Sequence, residues 1–405
     1  MKLRDRINLI PRNNWDYGLK ALFGSLASAS QKSMQAPNTK NIFQQDPIWT
    51  TSGRTSLYAI LKALDLPAGA KVGVPLFCCS VVFDAIHQAG LTPRFIDSNI
   101  DDYNLSVEDL HKKRSDLAAV VAVHMFGKPC DMDAIIPVAD TLPVIEDCAQ
   151  SVFSAYKGRQ AGLLSTASFF SFRTGKYISA GEGSAIFCKD EELHKKIERV
   201  IDSFDEWSSL NMIINSFSTF AKATLYNRPL YGLIGYPIGM RLDKKLNLTA
   251  KDGFELGKIA STHLALIDKR IAHFQEKIDI QREHAHMLLN AVLPSNFSLL
   301  SENDGYFRNW FQFALGFQNT NQRDAMADYL FSQGIDTSKY LDTIADEART
   351  DYGYEGDCPN AELLSKTVLL VPIHYTLHTK DLEHIARSIN EGSRLSKTKE
   401  DASIA

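Results

Sequence analysis

From about residue 50 to residue 200, short apolar runs alternate with longer stretches of helical spacing, a pattern that few folds accept. The spacing predicts strands over Lys71–Phe77, Pro93–Ser98, Ala118–Met125, Pro143–Asp147, Ser168–Phe172 and Ser184–Cys188. Helices such as Ser56–Leu64 and Val81–Ala89 lie between them. A strand with one wet face alternates polar and apolar residues; these runs do not, so both faces are covered. The expected fold class is α/β, a mostly parallel sheet with helices on both sides. From about residue 250 the pattern changes to a long helix over Asp252–Leu293. Beyond Pro294 comes an α+β mixture that includes Phe311–Phe317, Arg323–Gln333 and Thr367–Pro372. This predicts a large domain over residues 1–250 with a helical excursion at 205–240, a small α+β domain over 251–392, and a frayed polar tail from 393 to 405.

A chain of 405 residues can bury more than one core. The formal net charge of −4 and the absence of a basic run exclude a dedicated nucleic-acid binder. The cysteines, at positions 78, 79, 130, 148, 188 and 358, lack metal-ligand spacing. That usage predicts a cytoplasmic protein with neither disulfides nor a metal site. The charged N-terminus has no signal-peptide core. The most membrane-like segment, Leu210–Met240, is interrupted by Lys222, Arg228 and Pro229, short of the ~20 apolar residues a span requires. It is expected to pack on the body or on a partner subunit rather than to touch a membrane.

The chemistry concentrates in two stretches. In Ser168-Phe-Phe-Ser-Phe-Arg-Thr-Gly-Lys-Tyr-Ile-Ser-Ala-Gly-Glu-Gly-Ser184, Lys176 stands between an apolar strand and a glycine-rich turn, five residues after Ser171. In Val144-Ile-Glu-Asp-Cys-Ala-Gln150 a buried strand ends on Asp147, with the amide of Gln150 three residues on. Lysine forms Schiff bases with carbonyls, and pyridoxal phosphate enzymes hold their cofactor that way. A carboxylate is what the cofactor's pyridine nitrogen needs if the ring is to accept electrons.

These blocks, with Ser52-Gly-Arg-Thr-Ser-Leu57, Val123-His-Met-Phe-Gly127, Asp131-Met-Asp133, Gly158-Arg-Gln-Ala-Gly162, Gly181-Glu-Gly183 and Leu370-Val-Pro-Ile-His374, resemble the DegT/DnrJ/EryC1/StrS sugar aminotransferases. The order and spacing match over roughly residues 45–392. The resemblance implies a fold type I pyridoxal phosphate transferase acting as a homodimer with shared active sites. It makes Lys176 the cofactor's anchor and proton carrier, Asp147 the partner of the pyridine nitrogen, and Gln150 a contact to the phenolic oxygen. Ser171 and the turn with Gly53, Arg54 and Thr55 would hold the phosphate, a helix N-terminus being suited to anions. Arg54 would contact that phosphate or face the substrate. His124 would orient Asp147, or be a satisfied core histidine. Relatives stack an aromatic on the ring where this chain has Cys79, so Phe77 is the substitute or that face is thinner. For the segment that relatives extend to the neighbouring subunit's phosphate, Arg241 and Asn247 are the candidates.

The implied reaction moves an amino group from L-glutamate to a keto or aldehyde carbon of a sugar, most often nucleotide-linked, for surface glycan or natural-product synthesis. The alternative acceptor is a free keto-sugar acid such as an 8-oxo-3-deoxy-octulosonate. Dehydratases on this scaffold carry histidine in place of Lys176, and a non-catalytic relative would have lost Lys176 or Asp147.

Overall fold

The computed structural model describes residues 6–28, 37–43, 45–206, 209–239, 254–294, 296–302 and 304–404. Seven strands form the main sheet: β1 Ile48–Thr50, β2 Lys71–Pro75, β3 Thr92–Ile96, β4 Ala119–Val123, β5 Val144–Asp147, β6 Ala167–Ser171 and β7 Ser184–Cys188. Their order across the sheet is β1-β7-β6-β5-β4-β2-β3. Only β7 runs against the rest, pairing antiparallel with β1 and β6, while the other pairs are parallel. All five residues of β4 are buried, as a continuous apolar run requires. β2 ends at Pro75 instead of Phe77 because the Cys78 N–H turns back to Leu76 O (2.8 Å).

This topology determines where chemistry can occur. Parallel strands β2, β4, β5 and β6 all end on one edge, the edge where open α/β sheets bind ligands. Because β7 returns antiparallel from β6, the loop between them lies on that same edge, and Lys176 is in that loop. Helix α1 spans Leu19–Ser28, and helices α2 (Gly53–Ala63), α3 (Val81–Gln88) and α4 (Glu191–Asp202) follow. Leu57 and Ile60 of α2 and Phe83 of α3 join Val72, Val121 and Ile145 of the strands in one core. Each such side chain contributes roughly 1.5–3 kcal/mol on burial.

The excursion is helical, as expected: α5 spans Ser209–Leu225 and a wide turn follows at Tyr231–Gly235, while Met240 and Arg241 lie outside the described residues. The single long helix expected over Asp252–Leu293 is instead two, α6 (Ser261–Ile271) and α7 (Gln275–Ala291). Phe274 at the break is fully buried against Phe153, Tyr177 and Tyr375 (centroids 6.4, 5.5 and 6.5 Å apart), and this anchor redirects the chain. An antiparallel sheet follows, β8 (Phe297–Leu299), β9 (Phe313–Phe317) and β10 (Val368–Val371), in the order β8-β9-β10. With α7, α8 (Thr320–Ser332) and α9 (Thr379–Ile404) it encloses a second core that includes Leu288, Leu315, Leu330, Leu369 and Ile385. The tail expected to fray from residue 393 continues α9 to Ile404, and no proline interrupts it. Among the described residues no helix is long and apolar enough to cross a membrane.

Candidate active site

The site begins where β1 ends and α2 starts. Ser52 caps α2, its Oγ accepting from the Thr55 N–H (3.3 Å), and the free amides of the first turn open onto a cavity of about 750 Å³. A Cβ at Gly53 would stand 3.2 Å from Phe169 Cε2, so glycine allows α2 to close onto β6. A chain of hydroxyls ties the elements together. Thr50 Oγ1 meets Ser56 Oγ (2.7 Å), Ser56 donates to Ser184 Oγ (2.7 Å), and Ser184 donates to Phe170 O (2.6 Å).

Gly175, at φ +89°, makes the turn that presents Lys176, whose N–H bonds to Arg173 O (3.0 Å). Lys176 Nζ stands 5.4 Å from the Phe311 ring centroid. Burial pushes the ammonium's pKa down, with Asp147 opposing. Burial pushes Asp147 up, with the Ala149 N–H (2.9 Å to Oδ1) and Lys176 opposing. Each group is thus biased toward its neutral form in the bare protein.

Of the residues singled out in the sequence, Gly53, Arg54, Cys79, Asp147, Gln150, Ser171 and Lys176 all line this cavity. Two predicted residues do not. Thr55 is fully buried and turned to Thr51 Oγ1 (3.2 Å) and Ser52 Oγ (3.0 Å). His124 lies beneath the sheet edge and bonds Glu146 rather than the side chain of Asp147. Asn247 falls outside the described residues. Phe77 does not supply a stacking face either, since it is fully buried edge-on to Tyr103, Phe126 and Tyr340. The slot's apolar walls come from Leu57, Val81, Val82, Val123 and Phe169.

The sequence reading gave no role to Arg173, Tyr340 or Glu146. Arg173 lines the cavity beside Arg54, with its Nε 3.6 Å from Glu182 Oε1. Burial lowers the Arg54 pKa and the charge on Arg173 lowers it further, the mark of two cations converging. Gln150 is held from both ends, its Nε2 donating to Tyr340 Oη (3.1 Å) and its Oε1 accepting from the Phe126 N–H (3.0 Å). Glu146, fully buried, accepts from His124 Nε2 (3.0 Å), the Gly162, Leu164 and Ser165 N–H groups (2.8, 2.9 and 3.0 Å) and Ser165 Oγ (2.9 Å). Burial would raise its pKa, but these donors hold it below the usual range. His124, Glu146 and Cys148 bring ligand-type atoms within 4.8 Å, but His124 and Glu146 spend theirs on these hydrogen bonds.

Residues 42–390 match the sequence profile of the DegT/DnrJ/EryC1/StrS aminotransferase family. The chain belongs to that family. It is an aminotransferase by that membership, and its frame is the family's mostly parallel α/β sheet with the lysine on a hairpin loop. It is 26% identical to the UDP-N-acetyl-3-dehydro-alpha-D-glucosamine 3-aminotransferase of Acidithiobacillus ferrooxidans, over 84% of this chain and 82% of that protein. It is 36% identical over 149 residues to GDP-perosamine synthase of Escherichia coli O157:H7, a match spanning 36% of this chain and 41% of that enzyme. Among solved structures it resembles the aminotransferase TlmJ from Streptoalloteichus hindustanus, with a TM-score of 0.76 at 18% identity, over 95% of this chain and 98% of that one.

The donor set of this family member fits pyridoxal phosphate. Two arginines and a capped helix N-terminus line the cavity and call for an anion. A buried carboxylate, an amine biased toward neutrality and a set of apolar side chains line it too.

Proposed function

We propose that this chain binds pyridoxal 5'-phosphate and moves an amino group from L-glutamate to the keto carbon of a nucleotide-linked sugar. The observation that carries the reading is the shared cavity of Lys176, Asp147, Arg54, Arg173 and the α2 N-terminus. Arg54, Arg173, Ser171 and the first amides of α2 bind the phosphate. Asp147 keeps a proton on the pyridine nitrogen; its carboxylate form is stabilised once that cation lies against it. Lys176 anchors the cofactor and then, released as a free amine, takes the proton from the amino-bearing carbon of the donor. Bound here, the cofactor supplies the electron sink that makes this carbon acidic. In the second half of the cycle Lys176 returns a proton to the sugar carbon. Gln150, fixed by Tyr340 and the Phe126 N–H, orients the ring's phenolic oxygen.

The enzyme is read as a cytoplasmic homodimer with shared active sites. Leu19 and Phe23 of α1 and Leu210, Ile214 and Phe217 of α5 are 51–65% exposed, an apolar surface suited to a second copy. Six cysteines without a disulfide suit a reducing compartment.

The test uses the purified protein and its Lys176→Ala variant. Borohydride should fix the cofactor on Lys176, mapped by peptide mass spectrometry, and glutamate alone should yield one equivalent of 2-oxoglutarate per loaded site. Lys176→Ala should retain the cofactor non-covalently and lose turnover by at least ~10²–10⁴-fold. An adduct on another lysine, or no 2-oxoglutarate, overturns the reading.

A further inference from the structure

The stretch from Tyr306 to Gln312 leads into β9 of the second core, yet it docks on the large sheet's side of the molecule. Tyr306–Phe307 pairs antiparallel there with Ala155–Tyr156. Asn309, two residues on, is fully buried and spends every polar atom it has. Its Nδ2 donates to Gln150 O and Val152 O (3.0 and 2.9 Å), and its Oδ1 accepts from the Phe311 N–H (2.9 Å). Its own N–H donates to Ser154 Oγ (3.2 Å), and its carbonyl accepts from Tyr177 Oη. Gly127, at φ +81°, makes room for this side chain, since a Cβ there would collide with Asn309 Oδ1.

We infer that Asn309 is a positioning residue for Lys176, holding the lysine's loop, the Gln150 turn and the Phe311 ring in one fixed arrangement. The inference rests on the proposed transaminase reading and deepens it.

Each arm of Asn309 ends at a part of that machinery. Gln150 O belongs to the residue that orients the ring's phenolic oxygen. The Tyr177 hydroxyl pins the chain one residue past the lysine, and Tyr177 is itself buried. Phe311 turns its ring toward the amine, with Nζ 5.4 Å from the centroid, within cation–π range. A lysine side chain is long and loses much rotamer freedom when fixed, so its tip is held only if its backbone and its resting surface are both held. The need is strict, because a proton moves only over hydrogen-bond distance and a misplacement of about 1 Å can cost ~10²-fold. The charged and titratable groups that face Lys176 are Asp147 at the end of β5, Cys79 beyond β2 and Arg173 in the lysine's own loop. Asn309 is neutral and bonds none of these side chains, so it acts by placement rather than by charge.

The test uses cofactor-loaded enzyme with Asn309→Ala and Tyr177→Phe, and with Leu330→Ala as a control destabilised in the second core. At saturating glutamate, single-turnover formation of 2-oxoglutarate should slow about 10–100-fold in Asn309→Ala and about threefold or more in Tyr177→Phe. Pyridoxal phosphate affinity, read by fluorescence titration, should stay within about threefold, since Arg54, Arg173 and the α2 amides are untouched. Leu330→Ala should change neither. In cofactor-free protein, Phe311→Leu should lower the pH at which Lys176 becomes reactive toward acetic anhydride by about 0.4–1.5 units, because a ring face favours the ammonium. Asn309→Ala should move it in the same direction. Unslowed turnover in Asn309→Ala and Tyr177→Phe, a loss matched by Leu330→Ala, or a labelling midpoint that neither Phe311→Leu nor Asn309→Ala moves overturns the inference. Should Asn309→Ala not fold, Tyr177→Phe, which lacks one hydroxyl, decides. A wild type that forms no 2-oxoglutarate overturns the transaminase reading instead.

Discussion

Glu146 is the residue whose loss the structure prices most sharply. Its Oε2 accepts from His124 Nε2 and the Gly162 N–H, and its Oε1 from Leu164, Ser165 and the Ser165 hydroxyl. In Glu146→Gln one oxygen becomes an amide that can only donate, so it must face two donors or three. The cheaper choice points it at His124 and Gly162. His124 cannot escape by moving its proton, because its Nδ1 already accepts from the Cys130 N–H (2.9 Å). Two hydrogen bonds to a buried charge are lost, at about 1.5–3 kcal/mol each, so the variant should lose about 3–6 kcal/mol. That is a large fraction of the 5–15 kcal/mol typical of a folded domain. Urea unfolding of the cofactor-free protein, followed by circular dichroism, measures it, with Ser165→Ala as a control expected to lose about 1 kcal/mol. Since the folded-state pKa of Glu146 is depressed, its contribution is present at neutral pH and fades as pH falls below roughly 4, so the gap between wild type and Gln should narrow there. A loss under 1 kcal/mol with unchanged denaturant slope refutes the network as described.

Asp147→Asn should separate stability from turnover. Its folded pKa is raised, so the ionised form opposes folding at neutral pH and the penalty fades as pH falls through that raised value. Thermal melts of the cofactor-free variant should therefore show equal or higher stability than wild type at neutral pH, while the loaded variant transfers amine far more slowly. Arg54→Gln and Arg173→Gln should each weaken pyridoxal phosphate binding roughly 10–100-fold, read by fluorescence titration, as loss of a charge-assisted contact predicts. Phe217→Asp should shift the protein from dimer to monomer in sedimentation velocity, because a charge on an exposed apolar face opposes burial against a second copy.

Much of this was legible in the sequence because it is local. The apolar runs gave six strands of the main sheet to within two residues at most ends, and Asp147, Ser171 and Lys176 declare themselves by position relative to strand ends. What was missed depends on distant chain. Glu146 stands inside a motif that was read, yet its partners at 162–165 come from a loop that only the folded sheet brings beneath it. Arg173 drew no role from the sequence, because only the folded hairpin loop brings it to the cavity wall with Arg54. The break at Phe274 carries no glycine or proline to announce it, since a buried aromatic rather than a helix breaker makes the turn. Thr55 was placed near the right chemistry but faces inward, a matter of side-chain direction that spacing does not encode, whereas His124 takes the core reading, buried and bonded to Glu146.

The hydroxyl chain from Thr50 through Ser56 and Ser184 to Phe170 has a consequence for biosynthesis. It joins residues up to 128 positions apart, and its last strand, β7, is also the last of the main sheet to leave the ribosome. A nascent chain that stops short of β7 already owns Asp147, Gln150, Ser171 and Lys176, yet it lacks the strand that closes the lysine's hairpin and pins the start of α2. Until β7 is made, the start of α2 lacks the Ser56–Ser184 hydrogen bond that ties it to the sheet.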